Sequence, residues 1–267
     1  SPPAGRRPPL GGMRKMAMKI TTDGIVIRDL SFRGKDRLLT ILTRDRGVIR
    51  AYAKGARALR GPMLAATELL AYSRFVLFFQ KDRYSVDCAD GEALFFGLRQ
   101  DLVKLSLGSY MAELCAELIP EGEGSEDFLR LMLNSLYLLE KGKREAAFLK
   151  PVFELRLLSM AGYMPDLVAC QGCARFEADP MYFLPQTGQL FCPDCRPQGT
   201  AEAVPLAPAV LAAMRHILYS PFDRLFGFSL SPQGLAVLGQ VTQNYLLRRT
   251  ERSFPSLEFY QSVAAMG

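Results

Sequence analysis

Two Cys-x2-Cys pairs, "CQGC" at 170 to 173 and "CPDC" at 192 to 195, restrict the fold of this chain more than any other feature of its sequence. Four of the six cysteines lie in these eight positions, and 18 residues separate the pairs. This spacing is typical of a zinc site in which each pair supplies two thiolates from a tight turn. The alternatives are a redox dithiol or free cysteines, but a redox pair is usually single and lies in a βαβ unit. We predict a ribbon that binds one zinc ion through Cys170, Cys173, Cys192 and Cys195.

A closed four-sulfur site leaves zinc no open position for water or substrate. The predicted metal is therefore structural, and the cysteines do not identify a reaction. Cys88 and Cys115 lie far from both pairs in the sequence, and apolar burial is their expected role.

The amino-terminal segment and the most apolar stretch of the sequence indicate where in the cell the protein is expected. Residues 1–17 are basic and rich in Pro and Gly, without the apolar segment of a signal peptide, and we predict a flexible basic tail. The most apolar stretch, "FVLFF" at 75 to 79, is much shorter than the roughly 20 residues of a membrane-spanning helix. We expect a cytoplasmic protein with no membrane partner.

Positive charge is concentrated at the amino-terminal end. Residues 1–60 contain 15 Lys or Arg against 4 Asp or Glu, whereas the other 207 residues contain 18 against 23. Such a cationic segment is typical of proteins that contact phosphate backbones, although an anionic membrane surface or an acidic partner would also attract it.

The segment 18–91 reads as strands. Five short stretches rich in Val, Ile, Leu, Tyr and Phe are divided by glycine or charged turns, which predicts a small barrel of the OB-fold. In that fold a strand face and the loops bind oligonucleotides. The alternative for the basic residues is an ordinary solvated surface. The predicted contacts to nucleic acid are Arg28, Arg33, Lys35, Arg37, Arg44, Arg46, Arg50, Lys54, Arg57 and Arg60.

The remaining sequence is mostly helical. Apolar residues recur at helical spacing in 92–164 and 201–267, with the ribbon inserted at 165–200. Ser125 is expected to cap the helix that continues through "EDFLRLMLNSLYLLE". The fold class is therefore α+β and multidomain: an OB-fold barrel at 18–91, then a helical bundle in two parts that flank a zinc ribbon.

Nothing in the sequence supports catalysis. The single histidine, His216, lies within a predicted amphipathic helix, where a hydrogen-bonded structural role is expected. The chain contains no G-x-x-x-x-G-K-[ST] phosphate loop. We expect a binding protein rather than an enzyme.

Several stretches resemble one bacterial family. The opening "TDGIVIRDLSFRGKDRLLTILTRDRGVIRAYAKGAR", the segments "MAELCAEL" and "FELRLLSMAGYMPDLVACQGC", and the closing "RSFPSLEFY" are similar to the recombination mediator RecO family. The resemblance covers roughly residues 18–261, and its specificity lies in the combination of barrel, bundle and ribbon.

The resemblance implies a DNA repair and recombination protein that binds single- and double-stranded DNA without sequence specificity and anneals complementary strands. It also implies work with RecR, and loading of RecA onto DNA that is coated with single-stranded DNA-binding protein (SSB), in the bacterial cytoplasm at the nucleoid.

Two further interpretations concern side chains. Tyr52 and Phe32 are candidates for stacking on bases, although burial in the barrel is the alternative. A groove for the acidic SSB tail is predicted at Lys141, Lys143, Arg144 and Arg156.

Two other functions stay open, a zinc-ribbon factor acting on RNA and a nuclease.

Overall fold

The computed structural model describes residues 17–32, 36–55, 61–120, 124–199 and 202–266. It confirms the predicted fold class, because a strand-rich barrel precedes a helical bundle that carries an inserted four-cysteine ribbon. All but the last residue of the predicted tail falls outside the described residues. The proposed domain boundaries at 91, 164 and 200 stay predictions.

The barrel consists of five strands, which are β1 (Met18–Phe32), β2 (Asp36–Thr43), β3 (Val48–Ala53), β4 (Tyr72–Gln80) and β5 (Arg83–Ala93). β1 pairs with both β2 and β4, and β3 pairs with β5 in parallel, so the order β1-β2-β3-β5-β4 closes on itself. Alternate residues point inwards, as in any strand, and Leu39, Ile41 and Phe75 fill the interior. A short helix, α1 (Pro62–Ala66), adds Ala66 to this core.

Arg37 lies on the inward side of β2, because it shares strand parity with Leu39 and Ile41. Its guanidinium donates to both carboxylate oxygens of Asp29, at 2.9 and 2.6 Å, and to the carbonyl oxygen of Thr67 at 2.7 Å. Only 6% of the residue is exposed. The structure therefore corrects the prediction that Arg37 contacts nucleic acid: it is a buried link between β1, β2 and the segment after α1.

The bundle contains six helices among the described residues, which are α2 (Leu102–Leu118), α3 (Glu126–Glu140), α4 (Ala146–Met160), α5 (Pro208–Tyr219), α6 (Pro232–Thr250) and α7 (Pro255–Ala264). Proline occupies the first turn of α5, α6 and α7, where its fixed φ suits a helix and its missing N–H costs no hydrogen bond. The Ser231 hydroxyl caps α6 by accepting from Gly234 N at 3.1 Å. Within the described part of the chain, no helix is long and apolar enough to cross a membrane.

Ser125 precedes α3, as predicted, but its side chain does not cap that helix. The hydroxyl instead donates to the carbonyl oxygen of Thr43 in the barrel, at 2.5 Å. Ile25 and Leu42 of the barrel also belong to the same apolar core as the bundle helices. Barrel and bundle are thus joined by both apolar packing and a buried hydrogen bond.

A polar network lies inside the bundle. Glu154 is fully buried and accepts from Tyr110 at 2.8 Å and from Thr242 at 2.7 Å. Lys150, one turn earlier on α4, places its ammonium 2.7 Å from the same carboxylate and 3.0 Å from the amide oxygen of Gln243. Every oxygen of the buried carboxylate has a partner, which is what makes its burial tolerable.

The ribbon consists of four short strands, which are β6 (Asp166–Cys170), β7 (Met181–Leu184), β8 (Gln189–Phe191) and β9 (Val204–Leu206), in the order β6-β8-β7-β9. Arg215 of α5 attaches it to the bundle by donating to the carbonyl oxygens of Leu167, Val168 and Phe176. His216, the next residue, lies 2.9 Å through Nε2 from the carbonyl oxygen of Arg224. This agrees with the structural role expected for the histidine.

Candidate nucleic-acid interface and metal centre

The four predicted ligand sulfurs come together in the ribbon. The Sγ atoms of Cys170, Cys173, Cys192 and Cys195 lie within 4.8 Å of one another, so they can hold one metal ion. Four thiolates are the ligand set of structural zinc sites, and all four positions are filled by protein. The residues present therefore fit the predicted metal, and they fit a scaffold role better than a catalytic one.

The backbone prepares this cluster for a metal. The N–H groups of Gly172 and Cys192 point at Cys170 Sγ, at 3.4 and 3.3 Å. Burial raises the pKa of the Cys170 thiol, but hydrogen bonds from the backbone N–H groups of Cys192, Cys173 and Gly172 and from the Cys173 thiol outweigh it, and the pKa falls to about 6. A Cβ at Gly172 would lie 2.9 Å from Cys195 Sγ, so only glycine lets the two turns approach this closely.

The outer surface of β1, β2 and β3 carries the second candidate site, which we call the strand face. Strand pairing places Arg28, Thr40 and Arg50 in one row across the three strands. The next row is formed by Leu30, Leu38 and Tyr52. Leu30 is 52% exposed, and Leu38 and Tyr52 are half-buried, so this apolar band faces solvent.

Positive charge lies on both sides of the apolar band. Arg28 and Arg50 form the row nearer the bundle, and the exposed Lys54 follows β3 at the opposite end. The predicted contacts Arg33, Lys35, Arg57 and Arg60 lie outside the described residues. A partly exposed aromatic ring and aliphatic side chains beside cations are typical of surfaces that bind single strands, because bases stack on the rings while phosphates contact the charges.

Arg44 and Arg46 lie at the other end of β2, in the turn before β3. β2 has 8 residues, which corresponds to about 23 Å between the two turns at about 3.3 Å per step. Carboxylates surround this second turn: Arg44 lies 4.0 Å from Asp23 and Arg46 lies 3.9 Å from Asp45. The structure thus does not bring these two arginines together with Lys54.

Sequence reasoning did not find the apolar band as a unit. Tyr52 was a stacking candidate, but Leu30 and Leu38 become its neighbours only through the register of the three strands. A β-bulge between Val26 and Arg28 shifts that register. Strand alternation alone could not have located it. The Phe32 side chain lies outside the part that the structure describes.

An aromatic pocket on the bundle, with Asp223 in its lining, has two of the predicted tail-binding cations beside its aromatic rings. It has a volume of about 350 Å³, and Tyr137, Phe222 and Phe226 are among the side chains that line it. Lys143 Nζ lies 4.8 Å from the centre of the Tyr137 ring, and Arg156 Cζ lies 4.8 Å from that of Phe222.

The other cations near this pocket make hydrogen bonds, an ion pair or a contact with an aromatic ring. Arg144 donates to the carbonyl oxygen of Phe226 at 2.5 Å, and Lys141 pairs with Glu140 at 3.4 Å. Arg130, which the sequence did not suggest, places Cζ 5.0 Å from the centre of the Phe222 ring. Arg156 also donates to the carbonyl oxygens of Ile217 and Leu218, so part of its binding capacity is already used.

Comparison with known proteins agrees with this architecture. The family model "Recombination protein O N terminal" matches residues 16–92, and "Recombination protein O C terminal" matches residues 99–258. A DNA repair protein RecO from Acetivibrio thermocellus is 35% identical over 244 residues, covering 91% of this chain and 97% of that protein. One from Symbiobacterium thermophilum is also 35% identical, covering 90% and 96%. The resemblance read from the sequence is confirmed, and the chain belongs to the RecO family of DNA repair proteins.

Proposed function

We propose that this protein is a non-enzymatic recombination mediator that binds single- and double-stranded DNA without sequence specificity and anneals complementary strands. The observation that carries the proposal is the strand face, where Leu30, Leu38 and Tyr52 lie between the row of Arg28 and Arg50 and the exposed Lys54. Apolar and aromatic side chains accept the faces of any base, and arginine or lysine accepts any phosphate. Neither kind of contact reads base edges, so binding is independent of sequence.

Annealing requires that the repulsion between two polyanions is reduced while their pairing edges stay accessible. Contacts from Arg50 and Lys54 reduce the repulsion because they neutralise phosphate charges. Stacking on Tyr52 occupies only the face of a base, which leaves its Watson–Crick edge free. A strand held in this way remains ready to pair with its complement.

The test compares three variants of barrel residues in binding to single strands over a range of salt. Arg50→Ala should weaken binding and lower the slope of log K against log salt by about 1, because one phosphate contact is lost. Tyr52→Ala should cost about 1 to 3 kcal/mol on single strands with the slope unchanged, and much less on duplex DNA, whose bases are already stacked.

Arg74→Ala is the matched control. Arg74 lies on β4, is exposed and pairs with Asp23 at 3.1 Å, so its replacement removes the same charge from another side of the barrel. If Arg74→Ala and Arg50→Ala lower the slope equally, the strand face is not the binding site. Competition between RNA and DNA strands of the same sequence distinguishes the alternative of an RNA-binding factor.

Partner proteins are the second part of the proposal. We propose that the aromatic pocket of the bundle takes the acidic tail of SSB, and that the protein works with RecR to load RecA onto SSB-coated strands in the bacterial cytoplasm, at the nucleoid. Tyr137, Phe222 and Phe226 offer apolar contacts, and Lys143, Arg144, Arg156, Lys141 and Arg130 offer charge. Cations beside aromatic rings suit a peptide that combines carboxylates with an apolar side chain.

Binding of a fluorescent peptide with the SSB tail sequence tests this assignment. Lys143→Ala and Arg130→Ala should each weaken it several-fold, because each removes an exposed charge beside the pocket. Arg248→Ala, on the last turn of α6, removes equal charge elsewhere and should have no effect. Annealing of SSB-coated complementary strands should fall in the same two variants while annealing of bare strands is preserved. A loss in the bare-strand reaction would contradict a role limited to the tail.

For the metal centre we propose one zinc ion bound by Cys170, Cys173, Cys192 and Cys195. When bound, it would connect the two turns of the ribbon and supply no reaction, because the four sulfurs fill its coordination. Incubation with DNA and divalent metal ions tests for the nuclease alternative, and we expect no cleavage.

A further inference from the structure

A shared carboxylate lies where the barrel meets the bundle. Glu117, on the last turn of α2, binds Arg28 of β1 through Oε1 at 2.5 Å and Arg252 through Oε2 at 2.6 Å. Arg252 Nη1 also donates to the main-chain carbonyl oxygen of Glu117 at 2.9 Å. Two guanidinium groups from different domains are therefore held side by side by one acidic residue. The hydrogen bond from Arg28 and the charges of both arginines lower the pKa of Glu117.

Both arginines remain accessible. The Arg28 side chain is 34% exposed and the Arg252 side chain is 49% exposed. Together with Glu117 they carry a net charge of +1. Each arginine uses one terminal nitrogen in these bonds, and a guanidinium has five N–H donors. The pair can accept a phosphate while it stays attached to the carboxylate.

The position of this pair extends the strand face. Arg28 belongs to the same row as Thr40 and Arg50, so the row runs across the strands from β3 through β2 to β1. Neighbouring strands lie about 4.8 Å apart, which puts Arg50 and Arg28 about 10 Å apart along the row. Through Glu117, which binds both side chains, Arg28 at the β1 end of the row is connected to Arg252 of the bundle.

We propose that Arg28 and Arg252 form a phosphate clamp that carries a nucleic-acid strand from the barrel onto the bundle, perpendicular to the barrel strands. The proposal rests on the strand face as the binding site and adds a direction for the bound strand. It also assigns a binding role to Arg252, which lies outside the strongly basic first 60 residues. Glu117 is the positioning residue, because it holds both guanidinium groups in one place.

The experiment measures single-strand affinity of the full chain at several salt concentrations. Arg252→Ala should remove about one phosphate contact, so the affinity ratio of wild type to variant should fall about threefold from about 50 to about 200 mM salt. Arg252→Lys keeps the charge and should retain the wild-type slope.

Arg248→Ala is the matched control, because Arg248 lies four residues away, is 40% exposed and is also paired with a glutamate, Glu202, at 3.0 Å. Its replacement should leave the slope unchanged. Urea unfolding of each variant detects a loss of folding, and Arg252→Lys reports on the charge if Arg252→Ala is unstable.

The outcomes separate this proposal from the function on which it rests. If Arg50→Ala lowers the slope but Arg252→Ala behaves like Arg248→Ala, the clamp is wrong and the strand face stands. If neither Arg50→Ala nor Arg252→Ala changes the slope, both proposals fail.

Discussion

The barrel and the bundle use positively charged side chains in different ways. On the outer side of the barrel, the side chains of Arg50 on β3 and of Lys54 just after β3 are exposed. In the bundle, Lys150 is only 7% exposed and binds Glu154, and Arg215 donates to three carbonyl oxygens of the ribbon. A strand of a small barrel has one solvated side, whereas a bundle helix is packed on several sides. Exposed cations of the barrel are therefore available for the proposed DNA contacts, whereas the buried cations of the bundle, and Arg37 in the barrel, connect chain segments.

Removal of the proposed zinc ion should give the largest effect, and it tests whether DNA binding depends on the barrel and not on the ribbon. Structural zinc contributes about 10 to 16 kcal/mol of binding free energy in small zinc-binding peptides, so its loss should unfold the ribbon. Cys170→Ser combined with Cys192→Ser should abolish stoichiometric zinc in elemental analysis and lower the thermal stability. Binding of DNA by the barrel should change little.

Cys88→Ser is the control for this experiment, because Cys88 lies half-buried on β5, far from the cluster in sequence. It should leave the zinc content at one ion per chain. A wild-type protein without stoichiometric zinc would contradict the assignment of the metal. A large loss of DNA binding in the double variant would show that the ribbon contributes to DNA binding as well as to stability.

The buried cation of the bundle gives the next largest effect. Lys150→Met leaves the carboxylate of Glu154 buried without its charged partner, and removal of one member of a buried pair typically costs about 3 to 5 kcal/mol. Lys141→Met is the comparison, because Lys141 is exposed and pairs with Glu140 on the surface, where such pairs contribute about 0 to 1 kcal/mol. Urea unfolding measures both. Equal costs would mean that burial does not distinguish the two cations.

Local patterns in the sequence predicted much of this architecture. Alternation of apolar residues indicated the barrel strands, helical spacing indicated the bundle, and the spacing of four cysteines gave the ligand set of the ribbon. These features depend on near neighbours in the chain. A sequence-based prediction can therefore find them without a tertiary structure.

Partnerships between distant segments could not be predicted in this way. Ser125 has the sequence context of a helix cap, yet its hydroxyl binds Thr43, 82 residues earlier. Glu117 binds Arg252, 135 residues later. Such contacts depend on how barrel and bundle pack together, and no local pattern encodes them. The same limit applies to Arg37, whose partners Asp29 and Thr67 lie 8 and 30 residues away in the chain.

Two arginines of the barrel, the buried Arg37 and the exposed Arg50, differ in the same way but with smaller expected effects. Arg37→Met leaves the carbonyl oxygen of Thr67 without its buried donor, and an unsatisfied buried polar group costs about 1 to 3 kcal/mol. We expect lower stability in urea unfolding and an unchanged salt slope of DNA binding. Arg50→Met should give the reverse result, with stability preserved and the slope reduced. A reduced slope in Arg37→Met would mean that its guanidinium reaches DNA after all.

The ion pairs of Glu117 with Arg28 and Arg252, which connect bundle and barrel, should have the smallest effect on stability. The dependence of that effect on pH has a definite sign. The hydrogen bond from Arg28 and the nearby charges of Arg28 and Arg252 lower the pKa of Glu117 in the folded protein. An unfolded glutamate titrates near pH 4.3, at about its ordinary value. The contribution of Glu117 to stability is therefore fully present above about pH 4.3 and is lost as the pH falls through the lower folded pKa.

Glu117→Gln should thus be less stable than wild type at pH 7, and the difference should disappear in acid. The side chain is about one-third exposed, so solvent screening keeps the effect within the range of surface pairs, about 0 to 1 kcal/mol. Urea unfolding of both proteins at several pH values between about 3 and 7 measures it. A difference that grows towards low pH would reverse the sign and mean that the two arginines do not stabilise the charged carboxylate. A stability difference that is constant with pH would instead assign the effect of the substitution to packing. The contact of Glu117 with the two arginines would then resemble the bundle interior more than the solvated strand face.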